Sequence, residues 1–165
     1  MKKKVGLLIA IIAWIAVVAQ YNLMIENRVA TVVETTIRFF SFFTILTNTI
    51  VAIYFTLIAF KKKNGFVVAE SKTGKLTAIT VYINLVGLIY QIVLRQLWQP
   101  TGLQRIVDEL LHTIIPILVI VFWYFYGDKV APKYKHIPKW LIYPLTYLAY
   151  INKGKFFWLL SLSFR

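Results

Sequence analysis

The chain has 165 residues, of which 59% are hydrophobic and only 15% charged, with a mean hydropathy of +0.70 and a net charge of +13. A chain this small cannot bury so much apolar surface within itself, so a soluble globule is excluded and lipid must solvate much of it. The basic residues fall in short clusters between apolar runs, which reads as membrane topology rather than a nucleic-acid surface, and the absence of cysteine excludes disulfides and thiolate metal sites.

The first apolar run, Val5–Met24, follows Met1-Lys2-Lys3-Lys4. The opening resembles a secretion signal, but the run continues past Ala19 without an A-x-A cleavage site, so a retained helix is expected. Three further runs reach the ~20 residues a spanning helix needs: Thr36–Phe60, Leu76–Trp98 and Val107–Tyr126. Turn and charge signals separate them at Glu26-Asn27-Arg28, Lys61-Lys62-Lys63-Asn64-Gly65, Gln99-Pro100-Thr101-Gly102 and Gly127-Asp128. A fifth run, Trp140–Ile151, is short and needs its flanks to cross. Asn152-Lys153-Gly154-Lys155 is expected to end it, leaving 152–165 as an interfacial tail or the remnant of a sixth helix. The expected fold is all-α: a polytopic transmembrane bundle over 1–151, with about five spanning segments and no complete sixth helix.

Orientation follows from the short loops. With the N-terminus inside, twelve lysines are cytoplasmic, and the outer side up to the fourth helix holds four arginines, Arg28, Arg38, Arg95 and Arg105. The N-terminus is therefore expected to be cytoplasmic, although Lys153, Lys155 and Arg165 fall outside if the fifth run spans.

Polar residues within apolar runs are costly and tend to face the bundle interior. In the second run, Thr44 and Asn48 are i, i+4 partners with Thr47 beside them. A start at Thr36 puts Thr44 roughly 12 Å along the helix. In the fourth run Asp108 lies four residues before His112, in reach of its imidazole, and His112 falls roughly 8 Å from the helix start. Asn84, Gln91 and Arg95 share one stripe of the third run. A hydroxyl, a base and an orienting carboxylate thus converge on one layer. Taken singly, each has a plainer role: back-bonding threonines, an interfacial histidine, an N-terminal cap at Asp108, snorkelling arginines.

The stretch Arg38-Phe39-Phe40-Ser41-Phe42-Phe43-Thr44-Ile45-Leu46-Thr47-Asn48, with His112-Thr113-Ile114-Ile115-Pro116 further on, resembles the bacterial Pr6Pr membrane proteins and, through them, the androgen-induced, FAR-17a-like membrane family. The resemblance runs from the first helix to about Tyr150. It implies a bacterial plasma-membrane protein and an intramembrane threonine hydrolase of fatty acid esters, acting on a membrane lipid with no cofactor or metal. His112 matches the family histidine; Thr44 is the better match for the nucleophile and Thr47 the alternative. Asp108, Asn48, Gln91 and Arg95 are candidate supporting residues, to orient the imidazole, stabilise an oxyanion or bind a carboxylate. Family members carry a sixth helix, which this chain is expected to lack. A non-enzymatic membrane protein, such as a small transporter or lipid-binding scaffold, is the alternative reading of the same polar layer. Oligomeric state has no signature in the sequence.

Overall fold

The computed structural model describes residues 1–60, 74–127 and 137–163, the last ten of these by backbone alone. Every regular element among them is helical, as expected for an all-α bundle. The chain divides into two units, Met1–Val130 and Ala131–Arg165.

In the first unit, α1 (Lys2–Glu26) is followed by a short α2 (Val32–Phe40) and by α3 (Phe43–Phe60). Next come α4 (Lys75–Ile89), a π-helical turn over Tyr90–Leu94 and α5 (Arg95–Leu97), which together form one rod. The last rod is built the same way: α6 (Gly102–Glu109), a π turn over Leu110–Ile114 and α7 (Ile115–Tyr126). Among the described residues, four helical stretches are long and apolar enough to cross a membrane: Lys2–Glu26, Phe43–Phe60, Lys75–Leu97 and Gly102–Tyr126. Their outward side chains, among them Leu8, Ile15, Val81 and Ile117, stay exposed. Such a surface is costly in water and free in hydrocarbon, and we read the chain as a membrane protein on that ground.

Packing within the bundle is close because α1 turns small residues inward. Gly6, Ala10, Ala13 and Ala16 are buried, and a Cβ at Gly6 would sit 3.1 Å from Ile58 Cγ2. Side-chain bonds fix the register: Trp14 Nε1 donates to Thr56 Oγ1 (3.1 Å), Trp123 Nε1 to Thr77 Oγ1 (3.0 Å), and Lys2 Nζ to the Tyr126 carbonyl (3.4 Å). These pairs make α3 antiparallel to α1, and the last rod antiparallel to both α1 and α4. The core they enclose centres on Phe55, Ile83, Ile115 and Phe122.

Besides the start of the last rod at Gly102 instead of Val107, two boundaries differ from the sequence reading. The second apolar run breaks at Ser41. Thr31 caps α2 by accepting from the Glu34 N–H (3.3 Å), and Ser41 closes it with its hydroxyl on the Ile37 carbonyl (2.7 Å). The spanning helix therefore starts at Phe43, and Thr36 belongs to α2. α2 buries Thr35 and Phe39 and exposes Val32, Val33, Ile37 and Phe40, an amphipathic piece suited to the membrane interface.

The second difference lies in the other unit. There α8 (Ile137–Ser163) runs as one 27-residue helix with Pro144 inside. It continues through Asn152–Lys155, where the sequence reading ended the fifth helix. Asn152, Gly154 and the two lysines lower helix propensity by roughly 2 kcal/mol in total, too little to interrupt a long helix that has Leu148, Ala149, Leu159 and Leu160 on either side.

Candidate functional site

The polar residues expected to converge do so at one end of the first unit, where α1 finishes, α3 begins and both π turns lie. Thr44 Oγ1 is 3.3 Å from His112 Nε2. On the other side of the ring, His112 Nδ1 is 2.9 Å from the Asp108 backbone carbonyl and 3.3 Å from Asp108 Oδ1. Both of those neighbours only accept, so in a neutral imidazole Nδ1 carries the proton. Nε2 is then the lone-pair nitrogen, and it faces the Thr44 hydroxyl. The Asp108 carboxylate is buried and close to the ring as expected, but its own backbone carbonyl is the nearer orienting group.

Thr44 and His112 meet by a different geometry from the one expected. Thr44 is the second residue of α3, not two turns into it, because α2 ends before it. His112 lies ten residues into its rod, which begins at Gly102, roughly 15 Å along at helical rise.

The π turn at His112 has a local cause and a tertiary consequence. Ile115 N–H bonds to the Leu110 carbonyl, one residue further back than in an α-helix. The Leu111 carbonyl would next take the N–H of residue 116, which is proline and has none. Asn48, fully buried on α3, supplies the missing donor: its Nδ2 bonds the Leu111 carbonyl (3.3 Å) and the Thr44 carbonyl (2.9 Å). Asn48 therefore ties the helix carrying Thr44 to the turn carrying His112. With its amide nitrogen committed to two carbonyls it is not an oxyanion donor, and its Oδ1 has no partner among the described residues.

Gly87 lets α4 approach this turn. A Cβ there would stand 3.0 Å from the His112 carbonyl and 3.3 Å from Pro116 Cβ. One turn later, buried Tyr90 stacks on the imidazole, centroids 4.3 Å apart and planes 16° from parallel. Sequence reasoning missed Tyr90. Its signal was adjacency to Gln91 on the polar stripe of the third run.

Gln91 and Arg95 join a separate network. Gln91 Nε2 donates to Thr113 Oγ1 (2.8 Å), Thr113 to Glu109 Oε2 (2.7 Å), and Arg95 bonds both Glu109 Oε1 and Gln91 Oε1 (2.6 Å each). The four close a ring that clamps the two π turns together. Neither Gln91 nor Arg95 reaches the cavity on which Thr44 and His112 open. Thr47 is fully buried and does not line it either.

That cavity holds about 830 Å³, within the range of small-molecule sites. Thr44, Asp108 and His112 lie on its wall among apolar side chains that include Leu23, Phe39, Phe42 and Leu111. Its polar remainder is mostly amides, with Gln104 Nε2 donating to Gln20 Oε1 (2.9 Å). No three His, Asp or Glu residues among those described cluster as metal ligands. Set against family models, curated proteins and solved structures, the chain matches none of them.

Proposed function

We propose that this chain is an intramembrane hydrolase of fatty acid esters, with Thr44 as nucleophile and His112 as general base. One observation carries the reading: the Thr44 hydroxyl faces the lone-pair nitrogen of a histidine whose other nitrogen is held by two acceptors, on the wall of an apolar cavity. It is the activity that the resemblance of the Thr44 and His112 segments to the Pr6Pr and FAR-17a-like families implies.

A threonine hydroxyl is a weak nucleophile until a base accepts its proton. In the proposed cycle His112 Nε2 takes the proton as Thr44 Oγ1 attacks the ester carbonyl. The tetrahedral intermediate collapses, its C–O bond to the alcohol breaks, and the imidazolium returns the proton to the leaving alkoxide. Water, deprotonated in turn by His112, attacks the acyl-threonine. The carboxylic acid leaves and Thr44 regains its proton. Asp108 offsets the positive charge that the imidazole carries between the two transfers. Oxyanion donors would come from the cavity's own amides.

The basic loops suggest an N-terminus in the cytoplasm of a bacterial plasma membrane, so the site would open toward the outer leaflet. A lipophilic fluorophosphonate probe on purified protein tests the chemistry. The wild type should label and Thr44→Ala should not. Equal labelling of the two, or none in either, contradicts a threonine hydrolase and returns the cavity to the alternative, a lipid-binding or transport site.

A further inference from the structure

We propose that a second recess, flanked by Arg95 and Arg105, docks the headgroup of an anionic phospholipid. The recess holds about 230 Å³ and is walled by Arg95, Trp98, Gln99, Arg105 and Glu109, with buried Tyr90 behind them. It shares Trp98, Gln99 and Pro100 with the cavity at Thr44, but neither Thr44 nor His112 lines it. Its charge is unbalanced. Arg95 and Glu109 answer each other at 2.6 Å, and the second Glu109 oxygen accepts from Thr113 (2.7 Å). That carboxylate is engaged on both oxygens. Arg105 has no hydrogen bond or ion pair among the described residues. It is the fourth residue of α6, whose first turn holds no acid. A cation there faces the positive end of the helix dipole, and an anion from outside the chain relieves it.

The other polar groups of the recess add donors. Trp98 has an indole N–H, which only donates, and Gln99 an amide that donates as well as accepts. A donor-rich recess with one uncancelled positive charge matches a phosphodiester, whose two free oxygens fit the guanidinium fork. Its place in the fold says where that phosphate comes from. The connector 98–101 joins two stretches of membrane-spanning length, Lys75–Leu97 and Gly102–Tyr126, which puts the recess at headgroup depth. Leu97, Leu103 and Ile106 are exposed beside it in the chain, and the exposed Trp98 ring suits the interface. A soluble phosphate gains nothing from those apolar side chains, whereas the acyl chains of a lipid lie along them. The recess is small beside the 830 Å³ cavity and receives a headgroup, not a whole lipid.

The test titrates full-length protein in nonionic micelles with dioleoylphosphatidylglycerol or dioleoylphosphatidylcholine and counts bound lipid by native mass spectrometry. The anionic lipid should bind about tenfold more tightly, the scale of a charge-assisted hydrogen bond, because choline cancels the phosphate charge of the other. Arg105→Gln should abolish that preference with an unchanged unfolding midpoint, since the side chain is exposed. Arg28→Gln removes another exposed arginine from the same end of the bundle and should leave the preference intact. Equal affinity of the two lipids for the wild type overturns the inference. So do equal losses in the two variants, which would mark a diffuse surface charge. Displacement of bound phosphatidylglycerol by inorganic phosphate, at an ionic strength where chloride leaves it in place, would assign the recess to a soluble anion. Oleate binding as tightly through Arg105 would assign it to a carboxylate; either result ends the phospholipid reading. None of these measurements depends on ester hydrolysis, so the inference and the hydrolase reading stand or fall separately.

Discussion

Replacing Asn48 by leucine isolates the contact that joins the two halves of the site. Asn48 is fully buried, and leucine has the same number of side-chain heavy atoms with bulkier methyls, so the change opens no cavity and adds a modest overpacking term. It removes two bonds from Nδ2, but their consequences differ. The Thr44 carbonyl keeps its donor within α3, whereas the Leu111 carbonyl loses its partner, since Ile115 N–H serves Leu110 and residue 116 is proline. An orphaned buried acceptor costs about 1–3 kcal/mol. Losing the unpartnered Asn48 Oδ1 offsets part of that. Interhelical bonds in membrane proteins average about 0.6 kcal/mol and reach about 1.7. The net expectation is therefore a destabilisation of about 1–2 kcal/mol. Reversible unfolding in mixed micelles measures it, with Thr49→Val as control because that hydroxyl bonds only the Ile45 carbonyl of its own helix. Ester hydrolysis should fall further than stability does, because the helix bearing Thr44 is no longer pinned to the turn bearing His112. A neutral or stabilising Asn48→Leu would refute this, and packing alone would then hold the π turn.

Gly87→Ala should destabilise by about 1–3 kcal/mol in the same unfolding assay, since the new Cβ meets a backbone carbonyl at 3.0 Å; an unchanged midpoint would mean α4 shifts freely. Tyr90→Phe should preserve the stack on His112 and near-normal turnover, while Tyr90→Leu should lower kcat roughly tenfold with little change in KM, the scale of an aromatic pair. Equal losses in both variants would point to the hydroxyl instead. For orientation, Val29→Cys introduces a sole, fully exposed thiol between α1 and α2. A membrane-impermeant maleimide should modify it in intact cells and should leave Lys3→Cys untouched; the reverse pattern inverts the topology.

The fold class was legible because hydropathy and charge both vary on the length scale of a bilayer. The helices containing Leu8, Ile15 and Val81 could be laid out from apolar runs alone. The meeting of Thr44 with His112 was legible from the polar residues that interrupt those runs, but the depth estimate behind it was not sound. Apolar Phe39 and Phe40 concealed the end of α2, and Ser41 and Thr31 closed and capped it through bonds that hydropathy does not register. The π turns were invisible because an extra residue per turn is stabilised by partners on other helices, here Asn48 and the Gln91–Thr113–Glu109–Arg95 ring. Gln91 and Arg95 were assigned to the candidate site from their shared stripe. The stripe does face inward, but Glu109, an acidic residue that the reading had not weighed, draws both toward its own side of the rod. Pro116 entered the sequence reading only as part of a motif, and nothing there marked that its missing N–H leaves free the Leu111 carbonyl that Asn48 binds. Tyr90 was passed over because its ring contact with His112 joins two helices and leaves no mark on the hydropathy of either.

The central claim is that Thr44 attacks and His112 activates it. Its most direct measurement is the rate of fatty acid release from a neutral long-chain ester by purified wild type, Thr44→Ala, His112→Ala and Thr47→Ala, with unfolding midpoints recorded alongside. Loss of nucleophile or base in a triad-like site removes most of its catalytic advantage. Thr44→Ala and His112→Ala should each fall to background with near-normal midpoints, and Thr47→Ala, whose side chain is buried away from the cavity, should retain most of its activity. Retained hydrolysis in His112→Ala, or loss confined to Thr47→Ala, would contradict the account.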